Sequence, residues 1–259
     1  AVITLGGTVG ASDHIKTVNL IGKGGVKLGG NITTAATAGG NVTITGPVTL
    51  NADVTIDASA QNTTVSFGST STVNSDSHTG GRALTIKTGT ATTGAVAMQA
   101  AIGNATPLKT LSINNTGTPA GAIELVGIGN STGPVYGVIG ATAIGNGSTG
   151  SITLDGTVYT TGGTFDLTTG TGDKILVTNS SGATITTSDD DITFTGGNVK
   201  ISEGVASLTM TTGSGTADGN IAIAGSIIGT DTSTGAGNTT NLSLTSGAGT
   251  IDIHAINTD

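Results

Sequence analysis

Between Val42 and Ile56 the chain reads VTITGPVTLNADVTI, and the pattern of apolar and polar positions in it is that of three short strands. Val42-Thr43-Ile44, Val48-Thr49-Leu50 and Val54-Thr55-Ile56 each place two branched side chains on either side of a threonine. Successive strand residues point to opposite faces, so the outer pair of each triplet shares one face and the threonine takes the other. Gly46-Pro47 and Asn51-Ala52-Asp53 are turn formers, so the strands are half-buried, short and separated by immediate corners.

The unit recurs almost to the end of the chain. Before the central cluster come Val2-Ile3-Thr4-Leu5, Val18-Asn19-Leu20 and Val26-Lys27-Leu28, separated by the glycine pairs Gly6-Gly7, Gly24-Gly25 and Gly29-Gly30. After it come Val65-Ser66-Phe67, Leu84-Thr85-Ile86, Leu111-Ser112-Ile113 and Ile123-Glu124-Leu125. The second half is more regular, running through Ile152-Thr153-Leu154, Phe165-Asp166-Leu167, Ile192-Thr193-Phe194, Leu208-Thr209-Met210 and Ile221-Ala222-Ile223 to Ile251-Asp252-Ile253. Ser69 to Gly81 is a polar interruption long enough to be a protruding loop, and Gly127 to Gly150 is a weaker, glycine-rich stretch. Gly94 to Ala101 is the nearest approach to a helical pattern; flanking glycine and short length make it a strand instead. No composition break divides the chain, so residues 1–259 are expected to form one domain.

Composition decides which all-β architecture fits. Aromatic residues are only 2% of the chain and tryptophan is absent, which makes a thick globular core hard to fill. Threonine is the commonest residue and outnumbers even the 45 glycines, so the low charge does not signal disorder: β-branched residues dominate. Short strands joined at self-similar corners predict an elongated parallel β-solenoid, in which each coil stacks on the next over a narrow aliphatic core. A β-sandwich is the alternative, and the scarcity of aromatics and of long alternating strands weighs against it.

Four phrases carry a resemblance. GPVTLNADVTIDAS (Gly46 to Ser59), GRALTIKTGTATTGAV (Gly81 to Val96), GNATPLKTLSINNTG (Gly103 to Gly117) and LSLTSGAGTIDI (Leu242 to Ile253) are similar to the β-strand repeats of large bacterial surface proteins of the filamentous-haemagglutinin-like, adhesin type. That resemblance implies a right-handed parallel β-helix, exported to the cell surface and acting as an adhesin or fibre. The chain begins at Ala1 and shows no signal-peptide pattern, so it is expected to be a processed product or a segment of a longer surface protein.

Charge narrows the partners. A net charge of −8, with eight scattered Lys and Arg, disfavours nucleic acid and anionic membranes, and no apolar run is long enough to span a bilayer as a helix. Without cysteine there are no disulfides, thiolate metal sites or cysteine nucleophiles. A surface rich in Thr, Ser, Gly and Asn and poor in charge fits an extracellular setting, in which several N-x-[ST] sequons permit glycosylation.

Because parallel β-helices include polysaccharide lyases and glycosidases, clustered carboxylates matter. The one cluster is Asp189, Asp190 and Asp191, before Ile192-Thr193-Phe194. Consecutive aspartates are a candidate Ca²⁺ site or acid–base pair, but a solvated turn closing one coil is the reading preferred, since no aromatic sugar platform accompanies them. His14, His78 and His254 lie far apart and in no metal-binding spacing, and neither a GxSxG elbow nor a phosphate loop occurs. No cofactor and no catalysis are therefore expected. The sequence favours a structural or adhesive surface fibre that self-associates end to end and contacts cell-surface or matrix glycans. A carbohydrate-active enzyme is the alternative. An ice-binding solenoid is the third reading, suggested by the Thr-x-Thr pairs Thr43-Ile44-Thr45 and Thr193-Phe194-Thr195, and it would require such pairs to stack in register.

Overall fold

A computed structural model describes residues 1–258 except 13–14, 35–39, 60–62, 78, 90–94, 133–135, 214–218 and 231–239, and of residue 258 the backbone alone. It is a parallel β-solenoid of about eight turns, with no helix among the described residues. The triplets behave as their alternation predicts. In Val48–Leu50 the outer residues are buried and Thr49 is half-buried, and the same holds for Val54–Ala58, Leu84–Thr88 and Ile152–Leu154. Ile44, Leu50, Ile56, Ile86, Ile113, Leu154, Leu167 and Ile223 all belong to one continuous core. The central residues of their triplets are half-covered rather than fully exposed because a neighbouring coil lies about 5 Å away on either side.

Three ladders run along the solenoid. The first starts with Ile3–Leu5, Val26–Leu28, Val48–Leu50 and Val73–Ser75. It passes through single bridges from Val73 to Ile102, Ile128 and Tyr159, then resumes as Val158–Thr160, Ala183–Thr186, Ser207–Thr211 and Asn241–Thr245. The second aligns Ile32, Ile56, Ile86, Ile113, Ile144, Leu167, Phe194, Ile223 and Ile253 in one column. The third aligns Val18, Val42, Val65, Val96, Ile123, Ile152, Ile175, Val199 and Ile227. Every one of these pairings is parallel, which excludes the sandwich alternative: its strands would pair antiparallel.

Aliphatic columns fill most of the core, and the few aromatics join them. Phe67, Phe165, Phe194 and Tyr159 are fully buried. Tyr159 and Phe165 meet edge to face at 6.2 Å between centroids, and Phe165 meets Phe194 at 6.3 Å. The buried phenol of Tyr159 is satisfied by its backbone surroundings: its oxygen accepts from the Gly156 N–H and donates to the Leu125 carbonyl, both at 2.8 Å.

The first part of Ser69 to Gly81, as far as Ser75, is not a protruding loop. It supplies the strand Val73–Ser75, and Ser71 and Val73 are completely buried. The hydroxyl of Ser71 accepts from the Gly46 N–H at 3.1 Å and donates to the Ile44 carbonyl at 2.9 Å, which is what allows a polar residue to sit at an inward corner. Gly46 itself has a positive φ of 109°, and a Cβ there would lie 2.0 Å from the Gly22 carbonyl oxygen, so this corner admits only glycine. The other weak stretch, Gly127 to Gly150, likewise supplies core: Ile128, Val138 and Ile144 are buried.

Candidate functional site: the corner loop of Asp189 to Asp191

The three aspartates lie where the chain leaves the strand Ala183–Thr186 of the first ladder and enters Ile192–Thr195 of the second. Thr187 turns inward at that corner and its hydroxyl donates to the Asp190 carbonyl, closing the loop. The same closure recurs in neighbouring coils. Thr161 donates to the Gly163 carbonyl at 2.7 Å, Thr212 to that of Gly219 at 2.7 Å, and Ser246 to that of Gly249 at 2.8 Å. These four hydroxyl residues are buried, and the backbone stitches them together: the N–H of Thr161 donates to Thr186, that of Thr187 to Thr211, and that of Thr212 to Thr245. In earlier coils the column holds Leu108 and Val138, so an apolar column gives way to a hydroxyl column partway along the solenoid.

Within the loop the carboxylates diverge in role. Asp189 adopts the left-handed conformation (φ 63°), which short polar residues tolerate best after glycine, and its side chain is exposed. Asp190 is half-buried and contributes its carbonyl to the Thr187 hydroxyl. Asp191 reaches across to the next coil, where its Oδ1 accepts from the Asn220 N–H at 2.7 Å and from the Asn220 Nδ2 at 3.1 Å. Asn220 repeats the contact one coil further on: its Oδ1 accepts from the Thr250 N–H at 2.9 Å and from the Thr250 hydroxyl at 2.8 Å.

This is one instance of a general device. An Asn or Asp at the start of a strand, or directly before it, accepts the backbone N–H of the register-matched residue in the following coil. Asn31 binds the Thr55 N–H at 2.8 Å, Asn41 that of Thr64 at 2.9 Å, Asp53 that of Ala83 at 3.0 Å and Asn198 that of Ser226 at 3.0 Å. An N–H at the mouth of a ladder lacks a strand beside it, and the side-chain oxygen satisfies it. The signal is visible in the chain as Asn or Asp immediately before Ile or Val, in Asn31-Ile32, Asn41-Val42, Asp53-Val54, Asp191-Ile192, Asn198-Val199 and Asn220-Ile221. Reading Asp191 as part of an acidic cluster hides it.

Among the described residues no three His, Cys, Asp or Glu side chains are arranged to hold a metal ion. His14 and His78 lie outside the described residues, and His254 is exposed on the last strand. Shallow hollows indent the outer faces. One of about 270 Å³ is floored by Ala222 and Ala224 between Thr193, Thr195, Asp252 and His254. Another of about 250 Å³ adjoins Glu124 and Thr153 over Ala95, Ala97 and Ala122. Thr184 and Thr186 stack in register on Thr209 and Thr211 in the next coil, but the pairs at Thr43-Ile44-Thr45 and Thr193-Phe194-Thr195 stack on no other such pair. Thr43 and Thr45 face Asn19 and Ile21 in one neighbouring coil, and Thr193 faces Asp166 and Ala222. An exposed bidentate ion pair joins Arg82 Nε to Asp76 Oδ1 at 2.7 Å and Arg82 Nη2 to Oδ2 at 3.1 Å, and it holds the Asp76 carboxyl below the usual carboxylate range.

Fold and corner chemistry together define the chain as a β-solenoid whose polar side chains bind coil to coil. No protein-family model matches the chain, and no curated protein or solved structure is significantly similar to it.

Proposed function

We propose that the chain is a structural or adhesive part of an extracellular, cell-surface solenoid. The observation that supports this reading is the use made of its polar side chains. Asn31, Asn41, Asp53, Asp191, Asn198 and Asn220 all bind the next coil's backbone, and Thr161, Thr187, Thr212 and Ser246 all close corners. Groups that an enzyme would aim at a substrate are here spent on holding the stack together. The low charge and the short hydroxyl and methyl side chains of the outer faces suit contact with other surfaces, including glycans.

Two measurements test the reading. Antibodies against the chain should label intact cells of its source, and beads coated with the purified chain should adhere to cells or matrix glycans. Absence of both labelling and adhesion would overturn it. Release of reducing or unsaturated sugar from a polysaccharide panel, abolished by Asp189→Asn, Asp190→Asn and Asp191→Asn together, would favour the carbohydrate-active enzyme instead.

A further inference from the structure

Beyond the structural and adhesive reading, we propose that the outer face of the first ladder, from Val158–Thr160 to Asn241–Thr245, binds ice. The in-register stack that an ice-binding solenoid requires is present, at threonines other than the two pairs that suggest it in the sequence. Thr160, Thr186, Thr211 and Thr245 form one outward file over four coils, and Thr184, Thr209 and Ser243 form a second file beside it. Positions in these files lie about 4.7–4.9 Å apart along the stack and about 6.6 Å apart along each strand. Water oxygens on a face of an ice crystal repeat on a rectangular net of nearly these two spacings, so successive hydroxyls fall at successive lattice points.

The chemistry of the face suits lattice water better than any other occupant. The Thr160 hydroxyl, at the start of its file, donates to the Ile128 carbonyl at 3.3 Å. Those of Thr184, Thr186, Thr209, Thr211, Ser243 and Thr245 make no hydrogen bond among the described residues. The next residue along three of these strands, Thr187, Thr212 or Ser246, turns inward and spends its hydroxyl on closing a corner, so the free hydroxyls all lie on one side. A threonine hydroxyl both donates and accepts, and its β-branched side chain has few rotamers, so the array is fixed before ice meets it. No charged and no aromatic side chain points outward from these four strands, which leaves neither an ion partner nor a stacking platform for a sugar ring and makes a neutral surface for a neutral lattice. Other outward files are interrupted. Lys27 stands between Thr4 and Thr49 in the early coils of the same ladder, and Asp57 and Lys87 lie beside the stacked Thr55 and Thr85 of the second.

Thermal hysteresis, the gap between the melting and freezing points of a single ice crystal, tests the proposal on the purified 259-residue chain. It should rise with concentration, and crystals held within the gap should become faceted. Thr186→Tyr with Thr211→Tyr, enlargements at two half-buried outward positions that break the net, should reduce it at least tenfold with the β circular dichroism signal retained. Thr55→Tyr with Thr85→Tyr, the matched change on the second ladder, should leave it unaltered. Thr184→Lys, at an exposed position, should lower it as well, so a fold lost to the tyrosine pair does not leave the face unprobed. No hysteresis and no inhibition of ice recrystallisation by the natural chain would overturn the proposal, as would activity that survives both changes on this face or falls equally with the control pair. Capture of the chain by cellulose or chitin, abolished by the same face variants while ice growth is unaffected, would assign the face to a polysaccharide and overturn it too. Cell labelling and adhesion are separate measurements, so the structural and adhesive reading stands or falls independently.

Discussion

The carboxylate of Asp191 accepts the backbone N–H of Asn220 at 2.7 Å, joining residues 29 positions apart in the chain but adjacent in the stack. Because Asn performs the same task at four other places where the device is described, the bond requires a side-chain oxygen and not a charge. Asp191→Asn should therefore leave the denaturation midpoint nearly unchanged. Asp191→Ala, which strands the Asn220 N–H, should cost about 1–3 kcal/mol.

Core columns set a larger scale. Ile113 and Leu154 are fully buried in the second and third ladders, and truncating either to Ala should cost about 2–5 kcal/mol in a denaturant titration. Thr153→Ala, at the half-buried centre of the same triplet as Leu154, should cost well under half of that.

Thr142 is an inward position where the solenoid carries an unneeded hydroxyl. It stands in register between Leu111 and Phe165, is completely buried, and its Oγ1 has no hydrogen-bond partner. Thr142→Val keeps the shape and removes the desolvated oxygen, so it should raise the thermal midpoint, with a gain of about 1–2 kcal/mol.

Tyr159 supplies a pH signature. Burial pushes its phenol above the ordinary value of 10.0, and the neutral form is the one the fold accommodates. The folded pKa exceeds the unfolded one, so the stabilising contribution is full below about pH 10 and is lost as pH rises beyond it, where the unfolded chain releases the proton first. Tyr159→Phe should lose about 1–3 kcal/mol at neutral pH, because the Gly156 N–H and the Leu125 carbonyl each lose a partner. It should also show a shallower decline of stability above pH 10 than the natural chain, measured by urea titration across that range.

Alternation made the second and third ladders legible, because Ile56, Ile86, Ile113 and Leu154 each close a two-sided triplet around a threonine or serine. The middle of the first ladder hid better. Val158–Thr160 turns a single residue, Tyr159, inward, and Ile102 and Ile128 take part by one bridge each, so no triplet marks them. Val73–Ser75 was masked for a different reason: Ser71 and Ser75 are buried polar residues, and burial of a serine is written in its partners, not in its own hydropathy. The role of Asp191 depends on which residue stacks above it. That is fixed by the length of the intervening corner, which a local pattern does not encode.

The inter-coil hydrogen bonds have a mechanical consequence, since in a stacked solenoid they lie along the stacking axis. A force pulling the two ends apart loads one interface at a time, as in opening a zipper, instead of shearing many bonds at once. Coils should peel away in succession at modest force, each of roughly 25 residues paying out about 80–90 Å of chain. The corners pinned by Asp191, Asn220 and Thr250 would act as the detents between successive steps. On a surface exposed to flow, such a chain would lengthen under load before it detached.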